Sequence, residues 1–361
     1  MKRVHFCVVM CWLLLLLVVG CSAPAATPEA TTLPAEEATV EVPAEEPTQE
    51  PTEEPAATEE STGGYEPVTL DNCGVTLTYE RAPEHAVTMN QAPTEVLLAL
   101  GLQDKMAGTA YIDDAILPEF EESYNQIPVL AEQYPSKEVL LAAEPDFVYG
   151  GFASAFNEER DLHSREQLAE LGINTYLSPM SCADKSLRPA VWTMETIYDE
   201  IRDLGRIFGV VDRAEALIGE MQAEVDAVAE KVHGVEEPLR VLWYDSGDDE
   251  PFVGAGTGSP QEIIRLAGAE NIFADVEGTW ATVSWEEVIS RDPEVIVLIE
   301  ADWSTSEEKK TLLLENPAYA EITAVKDQRF VVIPFSYTTA GVRNAAAVTL
   351  IAEGLYPELF Q

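Results

Sequence analysis

Residues 136–149 read SKEVLLAAEPDFVY, and residues 284–297 read SWEEVISRDPEVIV. Aligned without gaps, the two stretches share Ser, Glu, two aliphatic positions, an acid, Pro, a second acid and an apolar run. Each reads as a helix running into a short apolar stretch of the kind found in buried parallel strands. A second matched pair lies upstream: APTEVLLALG at 92–101 and SPQEIIRLAG at 259–268. Pro93 and Pro260 suit the first position of a helix, where a missing N–H costs nothing, and Gly101 and Gly268 suit its end. The motifs keep the same order in both halves. Strand-like runs precede the first motif (HAVTMN at 85–90, LRVLWYD at 239–245) and follow the second (INTYLS at 173–178, RFVVIPF at 329–335). Strand and helix alternating twice over predicts an α/β fold of two similar lobes, each a parallel sheet flanked by helices.

Between the halves lies the clearest helical period in the chain. From Asp212 to His233 the apolar positions are Ala214, Leu217, Ile218, Met221, Val225, Val228 and Val232, with charges between them and Gly234 at the end. At 1.5 Å per residue the helix would span about 33 Å, enough to run along both lobes. One stiff connector predicts lobes that rock little around a ligand cleft between them.

The ends of the chain place this body. Met1-Lys2-Arg3 precedes an apolar run at residues 6–19, too short for a confident span but suited to a signal peptide. The run ends Val18-Val19-Gly20-Cys21, which resembles a bacterial lipobox with Cys21 as the lipidated residue; an ordinary signal peptide or anchor is the alternative. Residues 22–66 hold 12 Glu and no Lys or Arg among Ala, Pro, Thr and Ser, a composition that cannot offset its ordering entropy. The expected organisation is a signal peptide at 1–20, a lipidated Cys21 with an acidic tether to 66, an N-terminal lobe at 67–190, linking helices at 191–235 and a C-terminal lobe at 236–361. The expected location is the extracytoplasmic face of the cell membrane, held by lipid.

Formal net charge is −44. Without Lys2, Arg3 and the tether glutamates, the body still sets 19 basic residues against 53 acidic ones. Nucleic acid is excluded as a partner, since phosphate neutralisation needs clustered Lys and Arg. A neutral or cationic ligand, or simple solubility, accounts for the acidity. Cys73 and Cys182 are the cysteines left in the exported body, which favours one disulfide over two buried thiols.

The two lobes, the long linking helix and the lipid tether resemble the substrate-binding proteins that feed ABC importers for ferric siderophores, haem and cobalamin. TMNQAPTEVLLALGLQDKMAGTAY resembles that family's first strand, helix and second strand; SKEVLLAAEPDFVYG its second helix–strand unit; and GSPQEIIRLAGAENIFADVEGTWATVSWEEVISRDPEVIVL its C-lobe signature. The resemblance covers roughly residues 67–358. It implies a monomeric binding protein with no cofactor and no chemistry of its own, delivering a ferric siderophore to a permease and its ATPase, hydroxamate-type by the charge argument. Haem or cobalamin is the alternative within the family. It further implies docking through one acidic residue per lobe, near a helix start and meeting an arginine, at Glu95 and Glu262. Both positions also read as helix-capping acids.

Ligands of open parallel sheets bind beyond the carboxyl ends of the strands. Together with the resemblance, which marks Trp280 and Arg343, this gives Gln91, Tyr111, Phe152, Tyr244, Trp280, Trp303, Tyr337 and Arg343 as ligand-binding candidates. Trp243 and Tyr244 alternate, so one of them is expected to face the interior. A bare Zn or Mn site is the rival from a sister class, but His85, His163 and His233 are not at ligand spacing. No G-x-S-x-G, H-E-x-x-H or P-loop supports an enzyme. VGAGTGSPQE at 253–262 invites a phosphate reading, although its glycines lack the dinucleotide spacing; a turn feeding a capped helix is the other reading.

Overall fold

The computed structural model describes residues 65–361. The expected signal peptide, Cys21 and all but the last two residues of the tether therefore lie outside the described residues. An antiparallel hairpin, β1 (Val68–Asn72) and β2 (Val75–Tyr79), opens the described chain. The N-lobe then alternates β3 (Ala86–Met89), α1 (Gln91–Ala99), β4 (Met106–Ala110), a short α2 (Glu121–Tyr124), β5 (Val129–Ala131), α3 (Lys137–Ala142), β6 (Phe147–Gly150), α4 (Arg165–Glu170) and β7 (Asn174–Leu177). Its five strands are all parallel in the order β5-β4-β3-β6-β7. The chain builds outward from β3 on one side and then on the other, which places a crevice at the carboxyl end of β3.

Helices α5 (Met194–Ile207) and α6 (Val211–Val232) link the lobes. α6 buries Ala214, Ile218, Met221, Val225, Val228 and Val232, the face that the helical period marks. It packs on α5 and on the last helix of the chain.

The C-lobe follows with β8 (Arg240–Ser246), β9 (Phe252–Gly254), α7 (Ser259–Leu266), β10 (Glu270–Asn271), β11 (Trp280–Thr282), α8 (Trp285–Arg291), β12 (Val295–Glu300), α9 (Ser306–Glu315), a short α10 (Thr323–Lys326), β13 (Phe330–Pro334) and α11 (Arg343–Leu355). Its sheet runs β11-β9-β8-β12-β13, with β10 also on β8. β8, β12 and β13 are parallel, whereas β9 and β11 form an antiparallel edge. The two lobes are thus the two α/β units that the repeated motifs predict. Gly101 (φ 67°) and Gly268 (φ 78°) each follow a helix in the left-handed conformation that ends it. Pro93 and Pro260 fall inside the first turn rather than at its first residue.

One expectation fails inside β8. Trp243 and Tyr244 do not divide between core and cleft; both are fully buried. β8 is central, and both faces of its sheet are covered, so each side chain enters a different apolar cluster. Cys73 and Cys182 are joined in a disulfide with Cα atoms 5.2 Å apart. It fastens the hairpin turn to the segment after β7. Beside it, Asn72 accepts from the Leu177 N–H and donates to the Leu177 carbonyl, each at 2.9 Å.

Candidate functional site

A cleft of about 410 Å³ opens between the lobes, within the range of small-molecule sites. From the N-lobe it takes Asn90 and Gln91 beyond β3, Asp113 beyond β4, Phe152 beyond β6 and Ser178 beyond β7. The C-lobe contributes Asp245 from β8, Phe252 from β9, Trp280 from β11 and Phe335 beyond β13. Trp192, in the segment leading to α5, completes an apolar wall, and Arg188 in that segment also lines it. The walls are therefore strand ends, as open-sheet topology requires. Phe252 and Trp280 stack at 5.5 Å with 18° between their planes, pinned by the pairing of β9 and β11. A flat aromatic shelf of this kind offers large contact area at little entropic cost.

Of the ligand-binding candidates, Gln91, Phe152 and Trp280 lie on the cleft wall. Tyr244 does not: it is core, edge-on to Trp285 at 5.3 Å, with its hydroxyl donating to the Gly247 carbonyl. Tyr111 is not among the residues lining the cleft; it has a left-handed backbone (φ 60°) and packs edge-on against Tyr134 at 4.8 Å. Trp303 is 59 % exposed and stands beside the cleft, edge-on to Phe335. Tyr337 lies against the Arg343 guanidinium at 5.1 Å.

Arg343 and Glu95 were assigned separate tasks by the resemblance, and the structure joins them. Arg343 donates from Nε to Glu95 Oε2 at 2.6 Å and from Nη2 to Oε1 at 2.5 Å, and Nη2 also reaches the Ala115 carbonyl at 2.7 Å. Arg343 is 5 % exposed and Glu95 1 %. This bidentate pair crosses from α11 of one lobe to α1 of the other. Beside it the Ser336 N–H donates to Asp114 Oδ2 at 2.8 Å, a second bond between lobes. Glu95 is accordingly out of reach of a docking partner, and Arg343 is not offered to the cleft. Neither acid caps its helix. Glu262 is bound to Arg265 of its own helix at 2.7 and 2.9 Å, and Ser259, already inside the helix, donates to the Thr338 carbonyl. The phosphate reading of residues 253–262 also ends here. The N–H groups of Ala255, Gly256 and Thr257 donate to the carbonyls of Thr279, Val276 and Gly278. They are spent on the neighbouring turn rather than aimed at an anion.

Trp192, Phe252, Asp113 and Arg188 are cleft residues that the strand-end reading does not select. Phe252 sits on the antiparallel edge, and Trp192 on the crossover that must leave the carboxyl end of β7. A rule that follows each loop one crossing further would have found Trp192.

One buried carboxylate touches the cleft indirectly. Glu200 of α5 is 1 % exposed and accepts from the Tyr149 hydroxyl and, at 2.9 Å, from Ser178 Oγ. No cation pairs with it among the described residues. Burial, opposed by those two hydrogen bonds, pushes it up to about 7. An acid raised on folding stabilises below its unfolded value, and that stability is lost as pH rises to the folded value. The window here runs from about 4.5 to about 7. Glu200→Gln keeps an acceptor and removes the charge. It is expected to be more stable than the parent by up to about 3 kcal/mol at pH 8, with no gain at pH 4. Urea unfolding at the two pH values reads the difference; an equal gain at both would contradict a titrating Glu200.

Among the described residues no three of His, Cys, Asp and Glu converge to hold an ion. A family model described as periplasmic binding protein matches residues 87–337. The chain is 24 % identical over 299 residues to an uncharacterized ABC transporter substrate-binding lipoprotein, YvrC, of Bacillus subtilis, spanning 82 % of this chain and 87 % of that one. It is 26 % identical over 219 residues to a vitamin B12-binding protein of Yersinia pestis, 60 % of this chain and 70 % of that one. A periplasmic binding protein from Veillonella parvula superposes with TM-score 0.71 at 30 % identity, covering 81 % of this chain and 98 % of that one. An ABC-type Fe3+-hydroxamate transport system protein from Saccharomonospora viridis does so at 0.65 and 26 %, covering 80 % and 98 %.

Proposed function

The chain belongs to the periplasmic binding protein family, the substrate-binding, non-enzymatic partners of ABC transporters for siderophores, haem and vitamin B12; from that premise we propose that it captures a neutral or cationic ferric hydroxamate between its lobes and delivers it to a permease. The observation that carries this reading is the composition of the cleft. Five aromatic side chains, Phe152, Trp192, Phe252, Trp280 and Phe335, surround a space in which, among the described residues, Arg188 supplies the only guanidinium. A trianionic catecholate would need more positive charge than that, because burying an unpaired anion is costly. A volume in the lower part of the small-molecule range suits a compact chelate. Cobalamin is the second reading, favoured by the stacked Phe252–Trp280 shelf and by the vitamin B12-binding relative. Anchoring through lipid on Cys21 agrees with the lipoprotein relative.

Calorimetric titration with ferric hydroxamates, ferric catecholates, haem, cobalamin and free Zn and Mn tests the reading. Submicromolar binding of a hydroxamate supports it, binding of cobalamin alone moves it to the second reading, and binding of a catecholate or a bare metal overturns it.

Docking on the permease through one acid per lobe falls to another pair once Glu95 is buried. Glu138 and Glu286 occupy the same place in the repeat, each in the first turn of its helix behind a capping serine, Ser136 or Ser284, and both are exposed. Their positions support a role in docking, α3 on one lobe and α8 on the other. Glu138→Lys with Glu286→Lys is expected to abolish chelate-stimulated ATPase activity of the reconstituted transporter while ligand affinity is unchanged. Full stimulation by the double variant would remove both residues from the interface.

A further inference from the structure

The charges lining the cleft say more about its ligand than the overall acidity does. Two carboxylates line it, Asp113 from the N-lobe and Asp245 from the C-lobe, against the single guanidinium of Arg188. Arg188 Nε is already given to the Cys182 carbonyl at 2.6 Å. Asp245 Oδ1 accepts from Ser246 Oγ, and the charge of Lys309 acts on it, although Lys309 Nζ is itself held by the carbonyls of Ile299 and Ser304. Asp113 has none of this support. No hydrogen bond or ion pair reaches its carboxylate among the described residues. Its charged neighbours are Asp114 on its own loop and Asp302 from the other lobe, both of like sign. The charge of Arg343 acts on Asp114, and its guanidinium is held by Glu95. The same cleft is lined by Trp192, 2 % exposed, whose Nε1–H has no acceptor among the described residues. The fold thus leaves a half-buried anion and a buried donor unsatisfied on the walls of one cavity. Leaving polar groups in that state costs free energy that a ligand can recover.

We propose that Asp113, with Asp245 on the opposite wall, recognises a cationic group on the bound chelate, an ammonium or an equivalent N–H cation, and so makes the cleft select cationic over neutral and anionic chelates. This rests on the reading of the cleft as a chelate site. The selection lies in charge: a cation beside Asp113 removes the like-sign repulsion with Asp114 and Asp302, whereas an anion adds to it. Burial, with Asp114 and Asp302 adding to it, pushes Asp113 up to about 6, so the selectivity should weaken as pH falls through that value.

The test uses two pairs of probes that share a metal core and differ by one charge. One is ferrioxamine B, with its pendant ammonium, against its N-acetylated neutral form; the other is aquacobalamin against cyanocobalamin. Titrated into the full chain at pH 7.5, the cationic member of the pair that binds is expected to bind at least about tenfold more tightly. The difference should shrink at pH 5 and disappear in Asp113→Asn, and shrink in Asp245→Asn, with urea unfolding of each variant read alongside. A cooperative unfolding transition like that of the parent chain shows that the variants fold. Equal affinities of the two members in the parent chain, or a difference that survives Asp113→Asn, overturn the proposal and leave the chelate reading standing. Silence from all four probes overturns that reading, and the proposal with it.

Discussion

Arg343→Ala is expected to lower folding stability by about 3–5 kcal/mol, the cost of leaving one partner of a buried ion pair uncompensated. Glu95 would then remain 1 % exposed with its counter-ion gone. Its remaining partners are the Leu117 N–H at 3.1 Å and Gln91 Nε2 at 3.3 Å, too little to replace a bidentate guanidinium. The Ala115 carbonyl would lose one of its two donors, keeping Gln91 Nε2 at 3.1 Å. Because α1 and α11 belong to different lobes, part of the cost should appear as loosening between them. Urea unfolding of Arg343→Ala, Glu95→Ala and the pair Glu95→Leu/Arg343→Met separates the possibilities. Each single variant should be strongly destabilised and the apolar pair much less so, because removing both charges leaves none uncompensated. If Arg343→Ala unfolds like the parent chain but loses ligand, the guanidinium faces the ligand instead, and the ion pair is not a structural lock.

Removing the Cys73–Cys182 bond should cost about 4–5 kcal/mol in the chain-entropy model. The bond closes a loop over a sequence separation of 109 residues, which takes in the whole N-lobe sheet. It is reinforced locally: Arg165 Nη1 donates to the Asn72 carbonyl at 2.8 Å and the Tyr79 hydroxyl to the Thr175 carbonyl at 2.9 Å. Those contacts should hold the hairpin in place in the folded state, so the loss falls on the unfolded state, which gains freedom. Cys73→Ala/Cys182→Ala is therefore expected to unfold at lower urea while its ligand affinity stays within a few-fold of the parent. Unchanged stability would show that the unfolded chain already holds these segments together.

The lobes were readable because their signals are local. DPEVIVLIE carries its strand in a run of six residues and its boundary in Pro293, and β12 spans Val295–Glu300. The α6 period predicts a buried stripe, and the observed one differs by Leu217, which is half-buried. The strand-end rule reached Gln91 and Phe152 because a parallel sheet has only one end at which a crevice can open; Trp280, on the antiparallel edge, was marked by the resemblance alone. The same rule misplaced Tyr244 and Tyr111, since it names a position along a strand and says nothing of the direction in which the side chain leaves it. Glu95 and Arg343 lie 248 residues apart, and no local pattern marks an acid on one lobe as the counter-ion of a base on the other. The resemblance gave each of them a function, whereas their burial ties them to each other. Asp113 escaped notice for a related reason: in an acidic chain one more aspartate carries no signal until the fold sets it beside Asp114 and Asp302.

The measurement that bears most directly on the account is intrinsic tryptophan fluorescence of the full chain during titration with ferrioxamine B, repeated in Trp280→Phe and in Trp192→Phe. Both residues line the cleft between the lobes, whereas Trp243 and Trp285 are buried in the cores. The account predicts saturable quenching in the parent chain, with a large part of the amplitude lost in each of these two variants and none lost in Trp303→Phe. Saturable quenching that survives both cleft substitutions would put the ligand elsewhere, and the cleft would lose its function.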